Sequence, residues 1–177
     1  EIKFEYFDGA NNQSVTRLVS GTGAAPAVIQ ISDNEPYDFG RVAENGTAIK
    51  TFTLTNIGGF DATSLTGASF GVSPFDFETT STFPGDNGDC INLGTLAPAA
   101  TCEVVLTYKP ADINTHSAAF TITYNDGAIP ASSVRNLAGE GVAPALLAMA
   151  PATFNFGAVA TGGTADTTFT ISNSGSL

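Results

Sequence analysis

The chain repeats itself with a period of about 118 residues, and this limits what it can fold into more than any other feature. Asp8-Gly9 recurs as Asp126-Gly127, Arg17 as Arg135, Gly21-x-Gly23 as Gly139-x-Gly141 and Ala25-Pro26-Ala27 as Ala143-Pro144-Ala145. One residue is then lost from the offset. Phe39-Gly40-x-Val42-Ala43 returns as Phe156-Gly157-x-Val159-Ala160, Thr51-Phe52-Thr53 as Thr168-Phe169-Thr170, and Asn56-x-Gly58 as Asn173-x-Gly175. A period of this size is one domain per copy. Residues 1–23 read as the closing strands of one copy, 24–141 as a complete copy, and 145–177 as the opening strands of the next. The joint Gly141-Val142-Ala143-Pro144-Ala145 is short and stiffened by proline, so neighbouring copies are expected to be held end to end.

Within the complete copy, apolar residues alternate with a period of two, which is the signature of half-buried strands. Phe52 and Leu54 alternate with threonines; Cys102, Val104, Leu106 and Tyr108 share a face, as do Ala118, Phe120, Ile122 and Tyr124. Turn signals separate these runs at Asn45-Gly46, Gly58-Gly59, Pro84-Gly85-Asp86, Lys109-Pro110 and Asn125-Asp126-Gly127. No run of ten residues has helical spacing. The segment Ala145–Ala150 lies between two prolines and aligns with Val28–Asp33, which reads as a strand. Seven or so short strands at this spacing predict an all-β, two-sheet β-sandwich in tandem repeats of about 118 residues.

Composition narrows the function. Six Lys and Arg against seventeen Asp and Glu leave a net charge of −11, which argues against a nucleic-acid or anionic-membrane surface. No apolar run is as long as a membrane span, which needs roughly 18 residues or more, so no membrane insertion is expected in this segment. No export leader opens the chain, so any such signal is expected to have been removed or to lie outside this segment. Charged residues are only 13% of the total, about half the usual share, and small hydroxyl residues are common. That balance suits a secreted or surface β-protein. Thirteen Phe and four Tyr supply the core that a disordered chain lacks.

The pattern Phe39-Gly40-x-Val42, Phe52-x-Leu54-x-Asn56-x-Gly58, then Leu96-x-Pro98-x-x-x-Cys102-x-Val104-x-Leu106-x-Tyr108-x-Pro110 resembles a Hydin-type (ASH) domain. Gly139-x-Gly141-x-x-Pro144 completes the likeness. Such immunoglobulin-like domains occur in choice-of-anchor D surface proteins of bacteria and in ciliary and centrosomal proteins. The resemblance implies tandem arrays on long secreted proteins with structural or adhesive roles, and it supplies no catalytic residues. This copy is long for the family, with the excess in residues 60–95.

Few residues here could carry chemistry. Cys90 and Cys102, with eleven residues between them, are read as a disulfide stapling a polar loop to a strand. Two Cys and the lone His116 fall short of the four ligands of a structural zinc site. Gly67-Ala68-Ser69-Phe70-Gly71 matches the G-x-S-x-G elbow, but no helix follows to expose the serine, so it reads as a loop or short strand. Asp86 and Asp89 are weak calcium candidates in Asp86-Asn87-Gly88-Asp89, which lacks the spacing of a known calcium loop and reads as a turn. His116 is expected to be solvated or hydrogen-bonded. Asn12-Gln13-Ser14 and Asn45-Gly46-Thr47 match the glycosylation sequon and read as turns. Asn56 and its copy Asn173 are expected to hydrogen-bond local backbone where their strands end.

No cofactor and no enzymatic activity are expected. The leading expectation is an extracellular structural or adhesive element, one link of a tandem array forming a stalk or fibre at the cell surface. Its partners would be neighbouring repeats or further copies of itself, with a surface protein or glycan as an additional ligand. The alternative is a binding module working through residues 60–95, where Phe70, Phe75, Phe77 and Phe83 form a candidate binding loop if exposed. An intracellular scaffold would instead keep Cys90 and Cys102 reduced. If the physical chain spans Glu1 to Leu177 only, two chains could also share strands head to tail; a segment of a longer repeat protein is the simpler expectation.

Overall fold

Alternating apolar residues can satisfy themselves only by facing another alternating surface, and the strands here do so in two stacked sheets. The computed structural model describes residues 1–71, 73–79 and 81–176, and none of these is helical. An outer hairpin comes first, β1 (Ile2–Phe7) and β2 (Asn12–Arg17). The sandwich follows: β3 (Ile29–Ile31), β4 (Tyr37–Ala43), β5 (Ala48–Asn56), β6 (Ala62–Gly67), β7 (Phe75–Phe77), β8 (Gly94–Leu96), β9 (Thr101–Tyr108), β10 (Thr115–Asn125) and β11 (Pro130–Val142). A second outer hairpin, β12 (Leu147–Ala150) and β13 (Thr170–Asn173), closes the order.

One sheet runs β3-β5-β9-β7 and the other β4-β11-β10-β6-β8. All pairings are antiparallel except β4 on β11, which is parallel. Among the described residues the sandwich thus has nine strands rather than about seven. The extra ones, β7 and β8, are three residues each and sit in the polar stretch 60–95, where a period of two cannot show itself.

The faces follow the alternation. Phe52, Leu54, Cys102, Val104, Leu106, Tyr108, Phe120, Ile122 and Tyr124 are all buried in one cluster. Phe52 meets Phe120 across the sheets at 5.7 Å between ring centres, and Phe75 stacks on Tyr108 at 4.7 Å. Asn56 is fully buried among them. Its Oδ1 accepts from the N–H groups of Val28 (3.3 Å) and Gly58 (3.0 Å), while Nδ2 donates to the carbonyls of Phe60 (2.8 Å) and Leu96 (2.9 Å). One amide therefore ties β3's entrance, the β5–β6 turn and β8 together.

The two outer hairpins repeat the strand register and several turn bonds of their counterparts in the complete unit. In β1–β2, Ile2 pairs with Arg17 and Phe7 with Asn12, the register in which Phe120 pairs with Arg135 and Asn125 with Pro130. Asp8 Oδ1 accepts from Asn11 and Ala10 as Asp126 Oδ1 accepts from Ile129 and Ala128. These backbone donors hold both carboxyls below the usual range. In β12–β13, Leu147 pairs with Asn173 as Ile29 pairs with Asn56. Asn173 Oδ1 accepts from Leu146 and Gly175, the counterparts of Val28 and Gly58. Both of those glycines are required by close approach: a Cβ would stand 2.2 Å from the Pro26 oxygen at Gly58 and 1.9 Å from the Pro144 oxygen at Gly175.

The hairpins differ from the complete copy in burial. Ile2, Phe4 and Tyr6 are exposed where Phe120, Ile122 and Tyr124 are buried. β13 has four residues where β5 has nine, because β9, which pairs along β5 from Ala48 to Thr55, has no counterpart within these residues.

Asn56→Ala should cost about 3 kcal/mol or more in urea unfolding, since several buried backbone groups lose their partner at once. Asn173→Ala, with its strand exposed, should shift the same transition by less than about 0.5 kcal/mol.

Candidate functional site

The end of β11 is held by backbone bonds to the loops on both sides of it. The Gly141 N–H donates to the Asn114 carbonyl (2.8 Å), and the Val142 carbonyl accepts from the Glu44 N–H (2.8 Å). At Gly141 an added Cβ would lie 2.0 Å from the Asp112 oxygen, so only glycine lets the strand pass under the 109–114 loop. The next residue bonds instead beside the β12–β13 hairpin: the Ala143 carbonyl accepts from Ser176 (3.1 Å), as Ala25 accepts from Gly59. No free residue separates the bonds of the sandwich from those of the hairpin. Pro144 holds Ala143 in extended backbone. Arg41 on β4 spans the joint, with Nη2 donating to the Ser176 carbonyl (2.7 Å) and Nε 3.7 Å from Glu140 Oε2.

Beside the joint, Tyr108, His116 and Asp112 form a chain. The Tyr108 hydroxyl is 2.8 Å from His116 Nδ1, and His116 Nε2 is 3.1 Å from Asp112 Oδ1. Burial, followed by the charges of Asp112, Asp38 and Glu140, raises the Tyr108 phenol above its ordinary value. His116 is thus a hydrogen-bonded structural side chain holding the 109–116 loop.

The sandwich edges offer little to a passing strand. On β3, the Ile29 and Ile31 carbonyls are capped by Ser133 Oγ and Arg135 Nη2 from the other sheet, and the Ile29 N–H by the Tyr124 hydroxyl. β7 and β8 are three residues each, and β4 is broken by Gly40 at φ 70°. At the end of β3, Lys50 Nζ donates to Asp33 Oδ1 (2.8 Å); this bond, then that from Ser32, lowers the Asp33 pKa.

A family model for HYDIN/CFA65/VesB-like Ig-like domains matches residues 27–136, which is most of the sandwich. The chain belongs to this family. Among solved structures, it is similar to the ASH/PapD-like domain 7 of human CEP192, at 17% identity and TM-score 0.49, covering 75% of this chain and 98% of that one. It is similar also to the VesB protease of Vibrio cholerae, at 13% identity and TM-score 0.50, covering 63% of this chain and 31% of VesB. A Porphyromonas gingivalis protein of unknown function matches at 16% and 0.47, covering 68% of this chain and 50% of its own. No curated protein sequence matches. The likeness to VesB is one of fold.

The HYDIN-like sandwich places the predicted residues as follows. Cys90 and Cys102 form a disulfide with Cα atoms 4.9 Å apart, tying the loop that ends at Cys90 to the start of β9. Asp89 Oδ1 accepts from the Glu103 N–H at the same point. Among the described residues, the one close group of three metal-type ligand residues is Asp89 with Cys90 and Cys102, and its two sulfurs are bonded to each other. Asp86 is exposed in the turn and is not part of that group. The candidate binding loop is corrected by the structure: Phe75, Phe77 and Phe83 are buried, and Phe70 packs on Phe77 and Phe120. Four of the five phenylalanines in residues 60–95 thus lie in the core or pack against it, while Phe60 stays exposed. Ser69 lies beyond the end of β6, its Oγ accepting from Gly71, in the loop expected for the G-x-S-x-G match.

Arg41, Glu140 and Asp112 were not singled out from the sequence, nor was the chain that joins Asp112 to His116 and Tyr108. For Arg41 one signal was present: it is the variable residue inside the repeated Phe-Gly-x-Val-Ala, with Ala158 in the following copy.

Replacing both Cys90 and Cys102 by alanine should lower unfolding free energy by about 3 kcal/mol in urea titration. Reduction of the native protein should give a matching loss.

Proposed function

We propose that this protein is a non-enzymatic extracellular structural or adhesive element, one link of a tandem Ig-like array that forms a stalk or fibre at the cell surface. The observation that carries the proposal is the joint, where the last bonded residue of one unit, Val142, is followed at once by the first bonded residue of the next, Ala143. Load on such a chain passes from sandwich to sandwich without a slack linker. The blunt edges of the sandwich favour growth along the chain over side-by-side pairing, and the net charge of −11 works in the same direction. The disulfide supports an oxidising, extracellular location.

Partners in this reading are the neighbouring repeats, or copies of the same unit end to end. The alternative, a binding module recognising a protein or glycan through residues 60–95, is weakened by the burial of Phe75, Phe77 and Phe83.

Electron microscopy of native material, with intact mass from the same sample, tests the array. Beaded rods and a mass well above 18.0 kDa are expected. Discrete particles of 18.0 kDa would end the array reading and bring the binding module forward.

A further inference from the structure

The joint after the complete copy is held by more than its proline, and the side chains that supply the extra hold differ between copies. Arg41 reaches from β4 to the Ser176 carbonyl of the following unit while its Nε faces Glu140 on β11. Its target is a backbone oxygen, so any residue at that place in the next copy would serve; in the complete copy the place is taken by Gly59. The clamp itself, however, depends on side chains that change from copy to copy. Where the complete copy has Arg41, the following one has Ala158; where it has Glu140, the preceding one has Thr22. The backbone parts of the joint, Gly-x-Gly and Ala-Pro-Ala, are the same in both places.

We propose that Arg41 clamps the joint to the following repeat, and that the stiffness of the array is set joint by joint by the residue after Phe-Gly in β4. The proposal rests on the array reading and adds to it which joints are stiff. An arginine gives a clamped joint; an alanine, as at Ala158, gives one restrained by Val142, Ala143 and Pro144 alone. Arg41 and Glu140 are each about half exposed, with side-chain accessibilities of 52% and 49%. The clamp is therefore worth only the energy of a surface contact, a roughly 2- to 5-fold shift in the population of the closed joint. That is too little to matter for folding and enough to change how far a joint bends. The proline and the absent linker set the coarse geometry; the arginine sets the spread about it.

The test uses a two-copy protein in which residues 24–144 are followed directly by residues 27–142, so that Ala27 stands where Ala145 does. Each unit is complete, since the hydrophobic core cluster draws only on residues from Ala27 to Leu137, with Val42 among its packed neighbours. Nitroxide labels on the two units report the width of the distance distribution by pulsed electron resonance. With Arg41 present the distribution should be narrow. Arg41→Ala, which copies the natural residue of the next repeat and so leaves the unit folded, should lower the closed-joint population roughly 2- to 5-fold and broaden the distribution. Raising the salt concentration should weaken only the contribution of Glu140, because a hydrogen bond to a carbonyl is less screened than an ion pair. Pro144→Gly should broaden it further than Arg41→Ala does. Equal widths for the parent and Arg41→Ala, or a broad distribution in the parent, would overturn the clamp. Because this joint is made by fusion, the result stands apart from the array question. A native monomer of 18.0 kDa would end the array reading and leave the clamp measurement as it is.

Discussion

A buried amide holds the beginning of the sandwich to its middle. Asn56 uses its oxygen for Val28 and Gly58 and both hydrogens of its nitrogen for Phe60 and Leu96, so every polar group it brings into the core is satisfied. That matters because β3 is only three residues long and would be a weak edge by itself. With Val28 anchored on Asn56, β3 is positioned for its ladder to β5 and for the side-chain caps that Ser133 and Arg135 lay over its outer edge. The two sheets are thus laced together at the edge where the chain enters.

The recurrence of this device at Asn173 separates local from global causes. Asn173 makes the same two bonds with its oxygen, Gly175 passes under Pro144 as Gly58 passes under Pro26, and the ring pairs Phe154–Phe156 and Phe154–Phe169 repeat Tyr37–Phe39 and Tyr37–Phe52. These arrangements form although the apolar side chains around them are exposed. The turn, the close approach and the register are therefore written into neighbouring residues, whereas burial needs the strands of a whole unit. Asp8 and Asp126 make the same point at the other hairpin.

The sheet core was legible in the sequence wherever alternation ran long enough, as in β5, β9 and β10. The family likeness rested on Phe39, Asn56, Cys102 and Tyr108, positions that turn out to lie in the core or to pack on it. The stretch 60–95 was not legible. Strands of three residues carry no period, and phenylalanines set among glycine, serine and aspartate look like a surface until the sheet they cover is known. Nor could the joint's clamp be read directly, because an exposed arginine says nothing of its partner when that partner is a backbone carbonyl 135 residues away. Its variability between copies was visible, but variability alone points equally to an idle surface position.

The claim at the centre of this account is that residues 27–142 form one cooperative unit sealed at Asn56, with the flanking hairpins belonging to other units. Amide hydrogen exchange on the 177-residue chain tests it most directly. The account predicts that slow amides in β3, β5, β9, β10 and β11 share one opening free energy, while those in β1–β2 and β12–β13 exchange on the order of a hundredfold faster or more. Protection of either hairpin at the level of the sandwich, or a β3–β5 pair that opens well before β9 and β10, would contradict it.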